Sequence, residues 1–354
     1  MRKIVELRAL MSEKGIDALL IEKQENYFYL TGMSGEDSFC VVTHQKVVMI
    51  VDFRFTSQAK AQAPDCEVFE YSGDVFATLN TMFHDLGVSR IGYDPESTTC
   101  SRFAQAEKKI FNVKFIDASG LLETLRICKS EDEMEIIKKA VGIADSAFSS
   151  SLPFIRPGVA ELDVAAEIEY RMRKLGASGP SFETIVASGA RGALPHGVAS
   201  EKIIKFGEAV TIDFGAVYNG YCSDMTRTVF VGTPKPQMKR IYEIVLVAQK
   251  NALAGCLAKA TCREVDAIAR GIISQAGFGE NFGHGTGHGV GVEIHEAPRL
   301  NSRSEIELQE GMVVTVEPGI YLPDVGGVRI EDMVLIGEAG PIILTQTTKE
   351  MLVI

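Results

Sequence analysis

Between Thr211 and Thr228 the chain reads Thr-Ile-Asp-Phe-Gly-Ala-Val-Tyr-Asn-Gly-Tyr-Cys-Ser-Asp-Met-Thr-Arg-Thr, and this stretch leaves little choice of local structure. An Asn-Gly pair flanked by apolar, alternating residues is the strongest short-range hairpin signal, because both positions of a type I′ turn need a positive φ. With Asn219 and Gly220 as the turn, the pairing can be counted outward: Tyr218 faces Tyr221, Gly215 faces Asp224, and Asp213 faces Thr226. Asp213 and Asp224 are then diagonal neighbours on one face of the ribbon, with backbones roughly 7 Å apart. Two carboxylates held so close stay ionised only if a cation lies between them. Taken alone, the pair would equally suit the solvated face of a surface hairpin.

Three later segments change that balance. Asn281-Phe-Gly-His-Gly-Thr-Gly-His-Gly-Val-Gly-Val-Glu-Ile-His295 supplies histidines, Met312-Val-Val-Thr-Val-Glu317 predicts a strand ending on a carboxylate, and Val328-Arg-Ile-Glu331 predicts Arg329 and Glu331 on one strand face. His284 and His288 have the spacing of a helical zinc pair, but the glycines at 283, 285, 287, 289 and 291 argue against a helix. A phosphate loop is also disfavoured, since no Lys-Ser/Thr follows the glycines. In order and in local context, Asp213, Asp224, His288, Glu317 and Glu331 resemble the five metal ligands of the pita-bread metallopeptidases, the family of methionine aminopeptidase, aminopeptidase P and prolidase. The resemblance extends over essentially the whole chain.

The organisation of the chain fits two domains. At 354 residues there is enough apolar material for two cores. Residues 1–125 alternate helical and strand patterns: a helix over residues 2–14, a strand over 17–21, an aromatic stretch at 26–32, strands at 39–43 and 47–51, and a strand at 91–94. These apolar runs predict an α/β unit with buried, parallel-type strands, similar to the N-terminal domain of creatinase, aminopeptidase P and prolidase, which methionine aminopeptidase lacks. Ser130 and Glu133 form a capping box that opens a long helix, so the boundary is expected near residue 126. In residues 126–354, the helical series Val164, Ile168, Met172, Leu175, Gly176 returns as Val265, Ala269, Ile273, Ala276, Gly277. The expected fold is thus an α/β creatinase-like domain followed by an α+β pita-bread domain with a pseudo-twofold repeat.

Charge and cysteine usage bound the partners. A net charge of -11 argues against nucleic acid or an anionic membrane, which call for basic patches. The first residues alternate charged and apolar side chains, unlike a signal-peptide core, and no segment approaches the ~18 apolar residues of a membrane span. Seven scattered cysteines without a C-x-x-C motif suit a reducing compartment, so a cytoplasmic location is expected.

The resemblance also implies a mechanism. Four carboxylates and one imidazole form a hard, anionic set that suits Mn²⁺ foremost, with Co²⁺, Fe²⁺ or Zn²⁺ as alternatives. Five side chains are too many for one tetrahedral ion. Two ions are therefore expected, with Asp213 on one, His288 and Glu317 on the other, and Asp224 and Glu331 bridging. The shared hydroxide would be the nucleophile. Glu317 would also handle the proton of the attacking water, His196 and His295 would donate to the carbonyl oxygen, His284 would contact substrate, and Arg329 would hold Asp224. Arg299 is the candidate for gripping a substrate carboxylate; its other reading is a surface ion pair with Glu296 or Glu305. The N-terminal domain and the segment Val292-Glu-Ile-His-Glu-Ala-Pro-Arg299 look more like aminopeptidase P and prolidase than methionine aminopeptidase. Short proline-containing peptides are the implied substrates and a homodimer the implied assembly. Dipeptide-only cleavage remains open, as does a reading from another class, a catalytically silent peptide-binding module.

Overall fold

Alternation within short apolar strands gives residues 2–126 two cores, one on each face of a six-stranded sheet. The computed structural model describes residues 2–354. Ala18–Ile21 at the sheet centre sends Leu19 and Ile21 to one face, where Leu7 and Met11 of the helix Arg2–Lys14 cover them. Ala18 and Leu20 point to the other face, against Phe76, Leu79 and Phe83 of the helix Val75–Asp85. The strand order is Glu67–Glu70, Val47–Val51, Phe39–Thr43, Ala18–Ile21, Arg90–Tyr93, Lys114–Asp117. Parallel strands were expected throughout, but the middle three run antiparallel and only the outer pairings are parallel. For Phe39–Thr43 and Val47–Val51 the reason is loop length: three residues, His44 to Lys46, separate Thr43 from Val47, and a parallel crossover needs a dozen or more. The aromatic stretch is helical, Gln24–Thr31, with Tyr27 and Tyr29 buried.

The chain divides at Arg126/Ile127 into two compact units. In the second, Ser130 caps the helix Glu131–Ser151 through a reciprocal box with Glu133, an arrangement worth ~1 kcal/mol. The two repeated stretches form the helices Glu161–Lys174 and Cys262–Gln275, burying Val164, Ile168 and Met172 in one and Val265, Ala269 and Ile273 in the other. Each packs on the helix before it, Glu131–Ser151 or Pro236–Gly255, and each pair backs one sheet, antiparallel except where the edge strand Leu352–Val353 runs parallel to Met225–Val231. The first sheet runs Leu352–Val353, Met225–Val231, Glu208–Phe214, Ile185–Ser188; the second runs Glu296–Leu300, Gly287–Gly289, Val313–Val316, Asp332–Gly337, Gly340–Ile343.

The halves are joined where the strands bearing the acidic residues meet. Glu331 donates its N–H to Thr226 O at 3.1 Å, and Thr228 Oγ1 donates to Arg329 O at 3.0 Å. Beneath them the fully buried Arg227 guanidinium donates to Glu331 O and to Asp332 Oδ1. Two helix pairs outside and antiparallel strands of both halves inside make up the pseudo-twofold pita-bread arrangement. Among the described residues, no helix is long and apolar enough to cross a membrane.

Candidate metal centre

The hairpin adopts the counted register. Asn219 and Gly220 take φ of 45° and 78°, Tyr218 pairs with Tyr221, Val217 with Cys222, and Asp213 with Thr226. The ladder is not continuous: the tip joins Gly179–Pro180 in a small sheet, while Glu208–Phe214 and Met225–Val231 belong to the larger one. At the break the Ser223 hydroxyl accepts the Ala216 N–H at 2.9 Å, which keeps the register across the gap and holds Asp213 and Asp224 on one wall.

The opposite wall comes from the second half of the unit. Gly287–Gly289 crosses so close to the neighbouring strand that a Cβ on Gly287 would lie 1.9 Å from Thr315 O. The glycine therefore permits the approach that places His288. Thr315 Oγ1 accepts the His288 N–H at 3.1 Å and donates to Glu317 Oε1 at 3.3 Å. His288 Nδ1 lies 3.1 Å from Gly289 O, which can only accept, so Nδ1 carries the proton and Nε2 presents its lone pair. That atom lies 3.5 Å from Asp224 Oδ2 and 3.3 Å from Glu317 Oε1. Asp224, His288 and Glu331 offer ligand atoms all within 4.8 Å of one another, and all three are buried.

Arg329 departs from expectation. It holds Asp213 rather than Asp224: Nη2 donates to Asp213 Oδ2 at 2.6 Å, Nε to Thr226 Oγ1 at 3.0 Å, and Nη1 to Tyr321 OH at 2.9 Å and Pro195 O at 3.1 Å. Nor does it share a strand with Glu331. Its strand, Gly326–Arg329, pairs with Gly319–Leu322 in a separate ribbon, and the next strand begins only at Asp332. Glu331 is held by Thr226, whose hydroxyl donates to Glu331 Oε2 at 2.7 Å.

The electrostatics describe a site with too much negative charge for its burial. Burial, reinforced by Glu331 and Asp213, raises the Asp224 carboxyl well above its usual range. Burial, reinforced by Glu317 and Asp213, does the same to Glu331. Glu317 is pushed up to about 8, chiefly by burial, although Arg329 opposes the shift. Burial drives His288 down to about 3, keeping its imidazole neutral. Asp213 Oδ1 is buried with no hydrogen-bond partner. An orphaned carboxylate oxygen, an imidazole lone pair aimed at carboxylates and crowded acids are each relieved by a divalent cation, so the residues fit a metal.

All ten residues singled out in the sequence line one cavity of about 610 Å³. Its apolar lining comprises Phe182, Ile185, Pro195, Val198 and Ile294. His295 is exposed and stands edge-on to His288, ring centroids 4.4 Å apart; His196 is also exposed. His284 reaches the wall with both nitrogens engaged, Nε2 with Tyr321 OH at 2.8 Å and Nδ1 with Gly285 O at 2.8 Å. Arg299 is exposed and lies across from His288 in the ladder. Its two possible ion-pair partners are engaged elsewhere, Glu296 with Lys129 at 3.0 Å and Glu305 with Arg263 at 2.5 Å, and among the described residues Arg299 makes no ion pair.

Sequence reasoning missed Thr226, Thr315 and Tyr321. Thr226 was within reach, because the hairpin count places it opposite Asp213. Tyr321 had no such signal, since its ribbon is separate from both sheets.

A model of metallopeptidase family M24 matches residues 135–338, and a model of the creatinase/prolidase N-terminal domain matches residues 3–128. The chain is 42% identical over 354 residues to an Xaa-Pro dipeptidase of Pyrococcus horikoshii, covering 99% of this chain and 98% of the relative. Among solved structures, an Xaa-Pro dipeptidase from Bacillus anthracis superposes with a TM-score of 0.97 at 45% identity, covering 100% of this chain and 99% of that one. An X-Pro aminopeptidase from Thermotoga maritima gives a TM-score of 0.90 at 41% identity, covering 96% and 98%.

Proposed function

Because the chain belongs to metallopeptidase family M24, we propose that it is a dinuclear metal-dependent exopeptidase that hydrolyses the bond between an N-terminal residue and a following proline. The observation that carries this reading is the cluster of buried Asp224, His288 and Glu331 with half-buried Asp213 and Glu317, one Asp213 oxygen left unpartnered, at the cavity wall. Asp213 would serve one ion, His288 and Glu317 the other, and Asp224 and Glu331 both. A pair of divalent ions bound there polarises the scissile carbonyl and acidifies the attacking water.

The remaining work falls to side chains. Glu317, on the cavity wall, would accept the proton of the attacking water and pass it to the leaving nitrogen. His295 and His196, both on the cavity wall, donate to the carbonyl oxygen as the carbon becomes tetrahedral. Arg329 fixes the second oxygen of Asp213, so the first keeps its direction. An Xaa-Pro amide has no N–H to recruit, and the apolar lining at Phe182, Ile185 and Val198 offers shape in place of hydrogen bonds.

Oxygen-rich ligands support Mn²⁺ as the working metal, and seven free cysteines support a cytoplasmic setting. Family resemblance supports a homodimer. Loss of metal ligands would favour a silent binding module; all five are present. A restricted dipeptidase is favoured by one observation, the unpaired Arg299 at the cavity. Product analysis on Ala-Pro beside Ala-Pro-Ala with Mn²⁺ tests the proposal. Release of alanine from either substrate is expected, release from Ala-Pro alone would single out the dipeptidase form, and no release from either would overturn the proposal.

A further inference from the structure

His295 makes no hydrogen bond through its ring among those the structure records, so its direction is set by the loop that carries it. That loop, residues 291–295, has no regular structure of its own, yet its start and its end are fixed. At the start, Cys222 N–H donates to Gly291 O at 2.8 Å. At the end, the Glu296 carboxylate turns back beneath the loop: Oε1 accepts the Glu293 N–H at 3.0 Å, and Oε2 accepts Lys129 Nζ at 3.0 Å. The space under Gly291 is filled by the same carboxylate, which a Cβ there would meet at 2.5 Å. Glu296 is thus the residue on which the loop folds, and Lys129 is a buried cation that holds it.

The placement of that cation is unusual for an interaction with no part in the metal cluster. The Lys129 and Glu296 side chains are only 2% and 5% exposed. Desolvating two charges is costly, and an apolar pair of similar size is often as stable, so stability alone gives little reason to keep such a pair. Specificity of position does: a guided ion pair fixes the Glu296 carboxylate, hence the Glu293 N–H, hence the two residues between them, Ile294 and His295. The segment that bears Lys129 reaches the opposite wall as well, since Glu133 accepts the Tyr221 hydroxyl at 2.8 Å in the hairpin that leads to Asp224.

We infer that Lys129 and Glu296 are positioning residues for His295, a buried ion pair that aims the imidazole at the substrate carbonyl without touching substrate or metal. The inference rests on the proposed peptidase activity and on the role of His295 within it. Misplacing a reacting group by about 1 Å can cost ~10²-fold in rate, so the pair should act on turnover and leave binding nearly unchanged.

The test uses the full chain loaded with Mn²⁺ and Ala-Pro as substrate. Lys129→Met takes a cation away from a buried carboxylate and can fail to fold, so Lys129→Met/Glu296→Gln is made beside it; glutamine removes the charge and retains an oxygen for the Glu293 N–H. The double variant should keep its metal content and lose roughly 10- to 100-fold in kcat, with KM changed less than about twofold. Lys129→Arg should recover most of the loss. The deciding arm repeats the double substitution in a His295→Ala background, where the further loss in kcat should fall below about twofold, since residues acting as one unit are non-additive. The same fold loss in both backgrounds, or an unchanged kcat in the double variant, would overturn the inference. Failure of the unsubstituted chain to cleave Ala-Pro would instead count against the proposed function.

Discussion

Thr226 illustrates how few atoms hold the cluster in order. Its hydroxyl accepts from Arg329 Nε and donates to Glu331 Oε2, and Arg329 in turn grips Asp213, so one threonine links a carboxylate from each half of the unit. Partners of this kind commonly contribute 10- to 100-fold in metal affinity or activity. Arg329→Ala should therefore weaken Mn²⁺ binding by about that factor, measurable by calorimetric titration, while unchanged affinity would show that Asp213 needs no such support. Arg299, proposed to grip the carboxylate of a dipeptide, would bear on substrate length. Loss of a charge-assisted bond costs ~1.5 to 3 kcal/mol, so Arg299→Ala should raise KM for Ala-Pro about 10- to 100-fold and affect Ala-Pro-Ala much less. Equal effects on both peptides would remove Arg299 as the discriminator.

At the level of strands and turns, the two walls differ in how far they could be read ahead. The Asn219-Gly220 turn fixed the register of Asp213 and Asp224 by counting, because a two-residue turn leaves no slack. The repeated helices were equally legible from period alone, since Val164, Ile168 and Met172 and their later counterparts all face a core. Arg329 was misjudged for a physical reason: continuous apolar alternation from Val328 onward conceals the strand break at Ile330 and Glu331, and nothing local reveals that Gly326–Arg329 pairs with Gly319–Leu322. The antiparallel centre of the N-terminal sheet was hidden likewise by strands buried on both faces. Gly215 gives this scale its test. A Cβ there would lie 1.7 Å from Ser223 O and 2.2 Å from Ser181 Oγ, at the point where the ladder changes sheets. Overpacking of this kind costs ~1 to 3 kcal/mol, and here it acts between the two aspartates. Gly215→Ala should lower the thermal midpoint and weaken Mn²⁺ binding together; a fall in stability with metal affinity intact would mean that the register tolerates the strain.

For the whole molecule, the cluster is a liability that its metal converts into stability. Without metal, Glu317 titrates near 8 when folded against 4.5 as its ordinary value, and Asp224 and Glu331 are shifted upward as well. Between those values the folded chain binds more protons than the unfolded chain, so stability falls as pH rises. Chelator-treated protein should therefore show a thermal midpoint that drops from about pH 5 to about pH 8, with the largest recovery on adding Mn²⁺ at the upper end; a midpoint that rises over that range would contradict the electrostatics. The most direct measurement is metal stoichiometry joined to turnover for the unsubstituted chain and for Glu331→Ala, whose carboxylate is assigned to both ions. The account predicts about two Mn²⁺ per chain with Ala-Pro hydrolysis in the first, and at least one ion fewer with hydrolysis nearly abolished in the second. Full stoichiometry and full activity in Glu331→Ala would contradict it.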